Sequence, residues 1–488
     1  MLNIVAALVA VPAYAQGTDA AFTKRLHRLA AQLDLPVFAA MLVRSVVLLS
    51  VLAASPAWAQ RPAPVTVAPS AAPADLTPGQ RSAAIDDIIQ KVSARYVFPD
   101  RVPTIVARLN QARASGRYAT GSPADFAARV SEDLREASND RHMYLTYAPE
   151  QFAAASAGKG GGEDSPQLQA FWEREAHRDN HGLTEMKILS GNVRYLRVAG
   201  FEWVEDQTGA AYDAAMRFLR SGDAVIIDLR GNGGGSHAAV RYLLSHFMDG
   251  DKLDITFLEA GKDPIQSRTL EYLPAGRLKG KPLYVLISNR VGSGAEAFAY
   301  DVQQFHLGTL VGATTSGAAN NNELSPIAPG FMLSCSYGRP VHPVSQSNWE
   351  GFGVAPDVAT EPEQALDVAH SLALAELLKR TDANPADRAE WIWASPAVEA
   401  RLHPPVLSQS RMRALAGQYG DQRVLWRDGA LHYVRRNGQA ARLIPLTDDA
   451  LFTVEGLDDR LHIRLSADAM ELQWNDDPAP ARLPKTRN

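Results

Sequence analysis

The spacing of apolar positions changes character three times along the chain. In RSAAIDDIIQKVSARYVF, Ile85, Ile88, Ile89, Val92 and Tyr96 recur at the 3.6-residue period of a helix. Ser122-Pro123 is a cap followed by a first-turn proline, and Phe126, Val130 and Leu134 form the apolar stripe of the helix it starts. MYLTY then reads as a short strand after a turn. From about residue 186 the pattern becomes buried runs alternating with helical stretches. KILSGNVRYLRVAGF suggests two strands about Gly191-Asn192, and AAYDAAMRFLRSG a helix stopped by Gly222. DAVIIDLR and PLYVLIS are continuous apolar runs of the kind found in buried parallel strands. Each is followed by a helical pattern, HAAVRYLLSHFM and AEAFAYDVQQF. LGTLVGATT is a further strand, and EQALDVAHSLALAELLKR closes the region as a helix. Beyond about residue 405 the pattern shortens again. Asp428-Gly429 and Asn437-Gly438 are two-residue hairpin signals between alternating segments such as LHYV, LFTV and LHIRL.

These patterns predict an α/β fold: a mostly parallel central sheet with crossover helices over 186–380. A helical subdomain precedes it (78–150), joined by a loop-rich connection (151–185). A linker (381–404) leads to a small antiparallel β module (405–488). Residues 60–77, QRPAPVTVAPSAAPADLT, are rich in proline and alanine and read as a linker. Residues 1–59 read as a targeting region. MLVRSVVLLSVLAASPAWAQ, from Met41, has a basic start, an apolar stretch and a small-x-small cleavage site ending at Ala59. We expect Met41 to be the start and the mature protein to be periplasmic or secreted, without stable membrane insertion. The alternative is a genuine extension carrying an uncleaved anchor.

Composition narrows the chemistry. A net charge of -5 over 488 residues implies no nucleic-acid partner. The single cysteine, Cys335, allows no internal disulfide and no thiolate-rich zinc site. No metal or organic cofactor is expected.

Four short stretches could carry chemistry. DLRGNGGGSHAAV (228–240) places a glycine-rich turn between a strand and a helix, where main-chain N–H groups favour an anion. It is neither a dinucleotide fingerprint nor a phosphate loop, since Ser236 replaces the third glycine and no Lys-Ser/Thr pair follows. In NRVGSGAEAFAY, Ser293 stands between a strand and a helix. It could be an exposed nucleophile, or the cap of a capping box completed by Glu296. DRH (140–142) and NWEGFGVAPDV (348–358) hold a histidine and a glutamate that separately are unremarkable.

Together, DAVIIDLRGNGGGS, KPLYVLISNRVGSGAEAFAYDVQ, TLVGATTSGAANN and EGFGVAPDV resemble, in order and spacing, the tail-specific (C-terminal-processing) serine peptidases. The likeness is greater to the interphotoreceptor retinoid-binding-protein and tricorn-core branch, and it covers about residues 80–380. The resemblance implies a ClpP/crotonase-like core, Ser293 as nucleophile, His142 as general base and Glu350 as the orienting carboxylate. It places oxyanion donors at Gly233 or Gly234 and at Gly294. Two features depart from the pattern. The lysine base of tail-specific proteases is missing, as no lysine occurs between Lys281 and Lys379, and Arg141 stands where the tricorn core has serine. The 45 residues between His142 and Lys187 (187 − 142) leave no room for a PDZ module. His237, His306 and His342 are read as structural. The function implied is an exported hydrolase acting on peptide or protein substrates. Two alternatives stay open: a carrier of apolar ligands on the same scaffold, and a hydrolase of another ester or amide.

Overall fold

The computed structural model describes residues 75–157, 166–435, 437–457 and 459–486. The signal-like region and the linker up to residue 74 lie outside the described residues.

The first helix, α1 (Pro78–Arg95), starts at a capping box in which Thr77 and Gln80 satisfy each other's main-chain N–H groups. Two more helices, α2 (Val102–Ala114) and α3 (Pro123–Ser138), pack against it. Ile85, Ile88 and Val92 of α1 meet Ile105 and Leu109 of α2 and Phe126, Val130 and Leu134 of α3 in one apolar cluster. A short strand, β1 (Tyr144–Tyr147), follows. The connection expected to be mostly loop instead carries two helices, α4 (Pro149–Ser156) and α5 (Pro166–Arg178).

The central region runs β2 (Leu183–Leu189), β3 (Val193–Val198), α6 (Glu205–Arg220), β4 (Ala224–Asp228) and α7 (His237–Ser245). A hairpin, β5 (Leu253–Glu259) and β6 (Ile265–Arg268), interrupts it. β7 (Leu283–Ile287), α8 (Gly294–Gln304) and β8 (Thr309–Gly312) resume the alternation. A second hairpin, β9 (Asn321–Ile327) and β10 (Phe331–Val341), precedes β11 (Val358–Ala359) and α9 (Ala365–Leu378).

The predicted sheet has the order β11-β8-β7-β4-β3-β2, with all neighbours parallel except β2 and β3. Its core follows the period of two. Val225 and Ile227 of β4 face α6, α7 and α8, whereas Ala224 and Ile226 face α9. A second, antiparallel sheet of order β1-β10-β5-β6, with β9 also paired to β10, was not anticipated from the pattern. Its strands come from three distant stretches. Phe331 and Leu333 of β10 complete the apolar cluster of α1–α3, which joins the helical subdomain to the core.

The stretch expected to be a linker, 381–404, is instead an 18-residue helix, α10 (Pro385–Leu402). Pro396 within it disguised the pattern. Trp391, Ala394 and Val398 nonetheless share a face and pack on α9 and the sheet. After α11 (Gln409–Leu415), eight strands, β12 (Gly417–Tyr419) to β19 (Ala481–Pro484), each pair antiparallel with the next. A bridge between Tyr419 and Lys485 brings the last strand back to the first, so the β module closes as a barrel. Its apolar core is its own, and it meets α10 where the Trp393 ring stacks on His462 at 3.8 Å.

Candidate active site

Ser293 follows the turn out of β7 and stands at the cap position of α8. Its backbone has φ 51° and ψ −124°. A capping residue ordinarily lies in the extended region. Positive φ at a non-glycine residue costs on the order of 1–3 kcal/mol and persists only where the surroundings impose it. One element of the capping reading is present: the Ser293 N–H donates to Glu296 Oε2 at 3.0 Å. The strained backbone belongs to the other reading, that of a side chain presented at a sharp strand-to-helix turn. Ser293 lines a cleft of about 470 Å³ together with His142, Gly233, Gly235 and Gly292.

The glycine turn explains how the backbone comes so near. Gly234 has φ +110°, and a Cβ there would lie 2.6 Å from Ser293 Cβ and 2.8 Å from Gly294 N. The same turn narrows the proposed oxyanion donors. The Gly234 N–H is committed to Asn232 Oδ1 at 2.8 Å, because Asn232 is fully buried and its carbonyl oxygen needs a donor. Gly233 remains on the cleft wall. Gly294 opens α8, where the first N–H groups lack partners within the helix and the dipole favours negative charge.

His142 reaches the cleft from the turn between α3 and β1. Its N–H donates to Asp140 Oδ1 at 2.9 Å, and its carbonyl accepts from Ser334 Oγ at 2.5 Å, so both sides of its backbone are held. Burial pushes the imidazole down to about 4; Asp140 opposes the shift and Arg135 adds to it. At neutral pH the ring is therefore uncharged. Its Nδ1 is buried without a hydrogen-bond partner. A ring nitrogen of His142 and carboxylate oxygens of Asp140 and Glu350 lie within 4.8 Å of one another. Among the described residues this is the one group of histidine and carboxylates close enough to hold a metal ion. Ser293 and His142 share the cleft without a hydrogen bond between their side chains, a looseness common before substrate tightens such contacts.

Glu350 follows β10 and accepts from the N–H groups of Ala319 (2.6 Å), Asn320 (3.0 Å) and Arg141 (3.3 Å). Burial, and then the Asp140 charge, push its carboxyl upward. Two participants escaped the sequence reading. Asp140 also accepts from Asn320 Nδ2 at 3.0 Å and the Tyr96 hydroxyl at 3.3 Å. Glu296, fully buried, accepts from Thr315 Oγ1 (2.5 Å), Gly317 N (2.6 Å), Ala318 N (2.8 Å) and Ser316 Oγ (3.3 Å), besides Ser293. Burial pushes its carboxyl upward and these bonds pull it back. Glu296 and Glu350 thus clamp one loop, residues 315–320, from both ends. That is the segment in which tail-specific proteases carry their lysine. The S-G-A-E spacing was the only sequence signal for Glu296, and it pointed to a cap. Of the remaining histidines, His342 is fully buried, its Nε2 3.4 Å from Asp301 Oδ1.

Residues 192–360 match the model described as "Peptidase family S41". These residues form a peptidase family S41 domain. Residues 79–173 match the model for the N-terminal domain of this family in eukaryotic IRBP, so the helical layer belongs to the family S41 arrangement as well. A curated relative, Tricorn protease of Thermoplasma volcanium, is 31% identical over 142 residues. These are 29% of the chain, and they span only 13% of that relative's length. Solved structures align more distantly. A lipoprotein from Streptococcus agalactiae does so at 14% identity and TM-score 0.43, over 62% of this chain and 99% of its own. The photosystem II D1 C-terminal processing protease does so at 15% identity and TM-score 0.38, over 61% and 98%. Tricorn protease gives 14% identity and TM-score 0.40, over 62% and 37%.

Proposed function

We propose that this chain is an exported serine peptidase that cleaves peptide bonds through an acyl-enzyme on Ser293, with His142 as general base. The observation that carries the reading is the conformation of Ser293: a strained serine at a helix start, lining one cleft with a neutral histidine that carboxylates back.

The chemistry follows from that placement. A serine hydroxyl at neutral pH is a poor nucleophile and needs a neighbouring base. His142 takes the Ser293 proton as Oγ attacks the substrate carbonyl. The tetrahedral oxyanion is received by the N–H groups of Gly294 and Gly233; one such donor typically contributes about 2.7–4 kcal/mol. His142 then returns the proton to the leaving amine, and the C–N bond breaks. Water, deprotonated by the same ring, releases the acid and restores Ser293. Glu350 faces the imidazolium that forms in each step and stabilises it. No lysine is available to replace the histidine in this segment.

A neutral fluorophosphonate tests the reading directly. Wild type should be labelled, Ser293→Ala should not, and His142→Ala should be labelled at least about 10³-fold more slowly. Absence of labelling from pH 5 to 9, with tight uptake of a fluorescent fatty acid, would instead favour the carrier. Export rests on the signal-like pattern from Met41. N-terminal sequencing of protein recovered outside the cytoplasm should begin at Gln60, and an intact residue 41–59 segment on that protein would refute cleavage.

A further inference from the structure

We propose that the cleft beside Ser293 selects peptides with an acidic side chain next to the scissile bond, held by Arg135, Arg141 and Arg290. This rests on the peptidase reading above and adds the substrate class.

The three guanidinium groups are the charged side chains on the cleft wall, apart from the neutral His142; no carboxylate lines it. Asp140 and Glu350 lie behind the histidine, committed to main-chain and side-chain donors. The arginines come from three places: the last turn of α3, the residue before His142, and the turn leading into Ser293. Tertiary folding alone assembles them. Several arginines elsewhere are matched with acids, Arg95 with Glu323, Arg108 and Arg117 with Asp133, and Arg230 with Asp228. The guanidinium groups of Arg141 and Arg290 have no ion-pair or hydrogen-bond partner among the described residues, and Arg135 lies over the Tyr144 ring at 5.5 Å. All three are exposed. A chain of net charge -5 therefore presents a local positive field at its nucleophile. Guanidinium is the cation best matched to a carboxylate, by paired N–H···O bonds. In a cleft of about 470 Å³ that also holds Ser293, a bound carboxylate falls within a residue or two of the bond attacked, since an extended residue spans roughly 3.3–3.6 Å.

The test separates recognition from catalysis. Full-length Ser293→Ala is titrated with three fluorescent peptides of otherwise equal sequence. One has Glu flanking the cleavage position and an amidated C-terminus. The second has Gln there and an amidated C-terminus. The third has Gln and a free C-terminal carboxylate. The acidic amidated peptide should bind about tenfold or more tighter than its Gln counterpart, the equivalent of about 1.4 kcal/mol. The gap should shrink as salt rises from 50 to 500 mM. Replacing all three arginines (R135Q, R141Q, R290Q) should reduce it to within about twofold, with Tm unchanged, because exposed substitutions of this kind move stability by only about 0.5 kcal/mol. Equal binding of the Glu and Gln peptides overturns the proposal, as does preference for the free C-terminal carboxylate alone. Acidic-peptide binding without fluorophosphonate labelling of the wild type would uphold the recognition while refuting the peptidase. Labelling without acidic preference would do the reverse.

Discussion

At the scale of single residues, the open question was whether Ser293 serves a helix or a reaction. The backbone supports the proposed reaction: the capping contact from Glu296 is made, yet φ of 51° is not the conformation a cap requires. Glu296 then becomes a positioning residue, tying the serine's amide to the 315–318 loop through one carboxylate. Glu296→Gln keeps the shape but puts an NH₂ group against donors. We expect kcat to fall about 10²-fold with KM nearly unchanged, as small misplacements of a reacting group do; an equal rise in KM with kcat intact would contradict this. His142 makes a second prediction. Its pKa lies near 4 because it is buried, below the ordinary value of about 6.5. In the proposed mechanism the neutral ring is the base, so activity should be full above that value and be lost as pH falls through about 4. A kcat/KM profile from pH 3.5 to 8 should show its acid limb there. A limb at 6.5 would mean the ring is solvated in the working enzyme. Ser293 was a candidate from its place between a strand and a helix, but His142 and Glu350 stood out only through resemblance, because a lone histidine or glutamate in a turn carries no local signature. Asp140 and Glu296 show their partners only in three dimensions.

At the scale of elements, the glycine turn after β4 and the helix α8 are one device. Gly234→Ala should leave the circular dichroism of the protein nearly unchanged while abolishing fluorophosphonate labelling, since the new methyl would collide with Ser293 Cβ and Gly294 N. Normal labelling would show that the turn has slack. α10 gives a packing test. Trp391 is buried, and its Nε1 donates to Asp223 Oδ2 at 2.9 Å. Trp391→Ala should cost about 3–5 kcal/mol, read as a lower urea midpoint; a linker would show no change. The buried parallel strands and their helices were legible because each writes its own period into a contiguous stretch. The β9–β10 hairpin was not: Pro326, Gly338 and Pro340 interrupt its strands, and β10 packs on β1 and the helical layer more than a hundred residues away, so no local alternation marks it.

At the scale of the whole molecule, the barrel closes its own apolar core, from Leu407 to Leu483, while the family S41 region keeps separate cores. A chain ended after residue 404 should therefore remain folded and be labelled at Ser293, losing the Trp393–His462 stack. Loss of labelling in soluble, folded protein would mean that the barrel supports the cleft. The sequence by itself determined the central α/β alternation, the helical layer before it and the hairpin-rich end. Periodicity is a property of neighbouring residues, and burial of one face enforces it locally. Only the tertiary structure decided what the cleft is. Ser293, His142, Glu350 and the three arginines come from separate segments of the chain. Their distances, charge states and unmatched guanidinium groups arise when two sheets and a helical layer pack together, and burial that shifts a pKa exists only once that packing has excluded water.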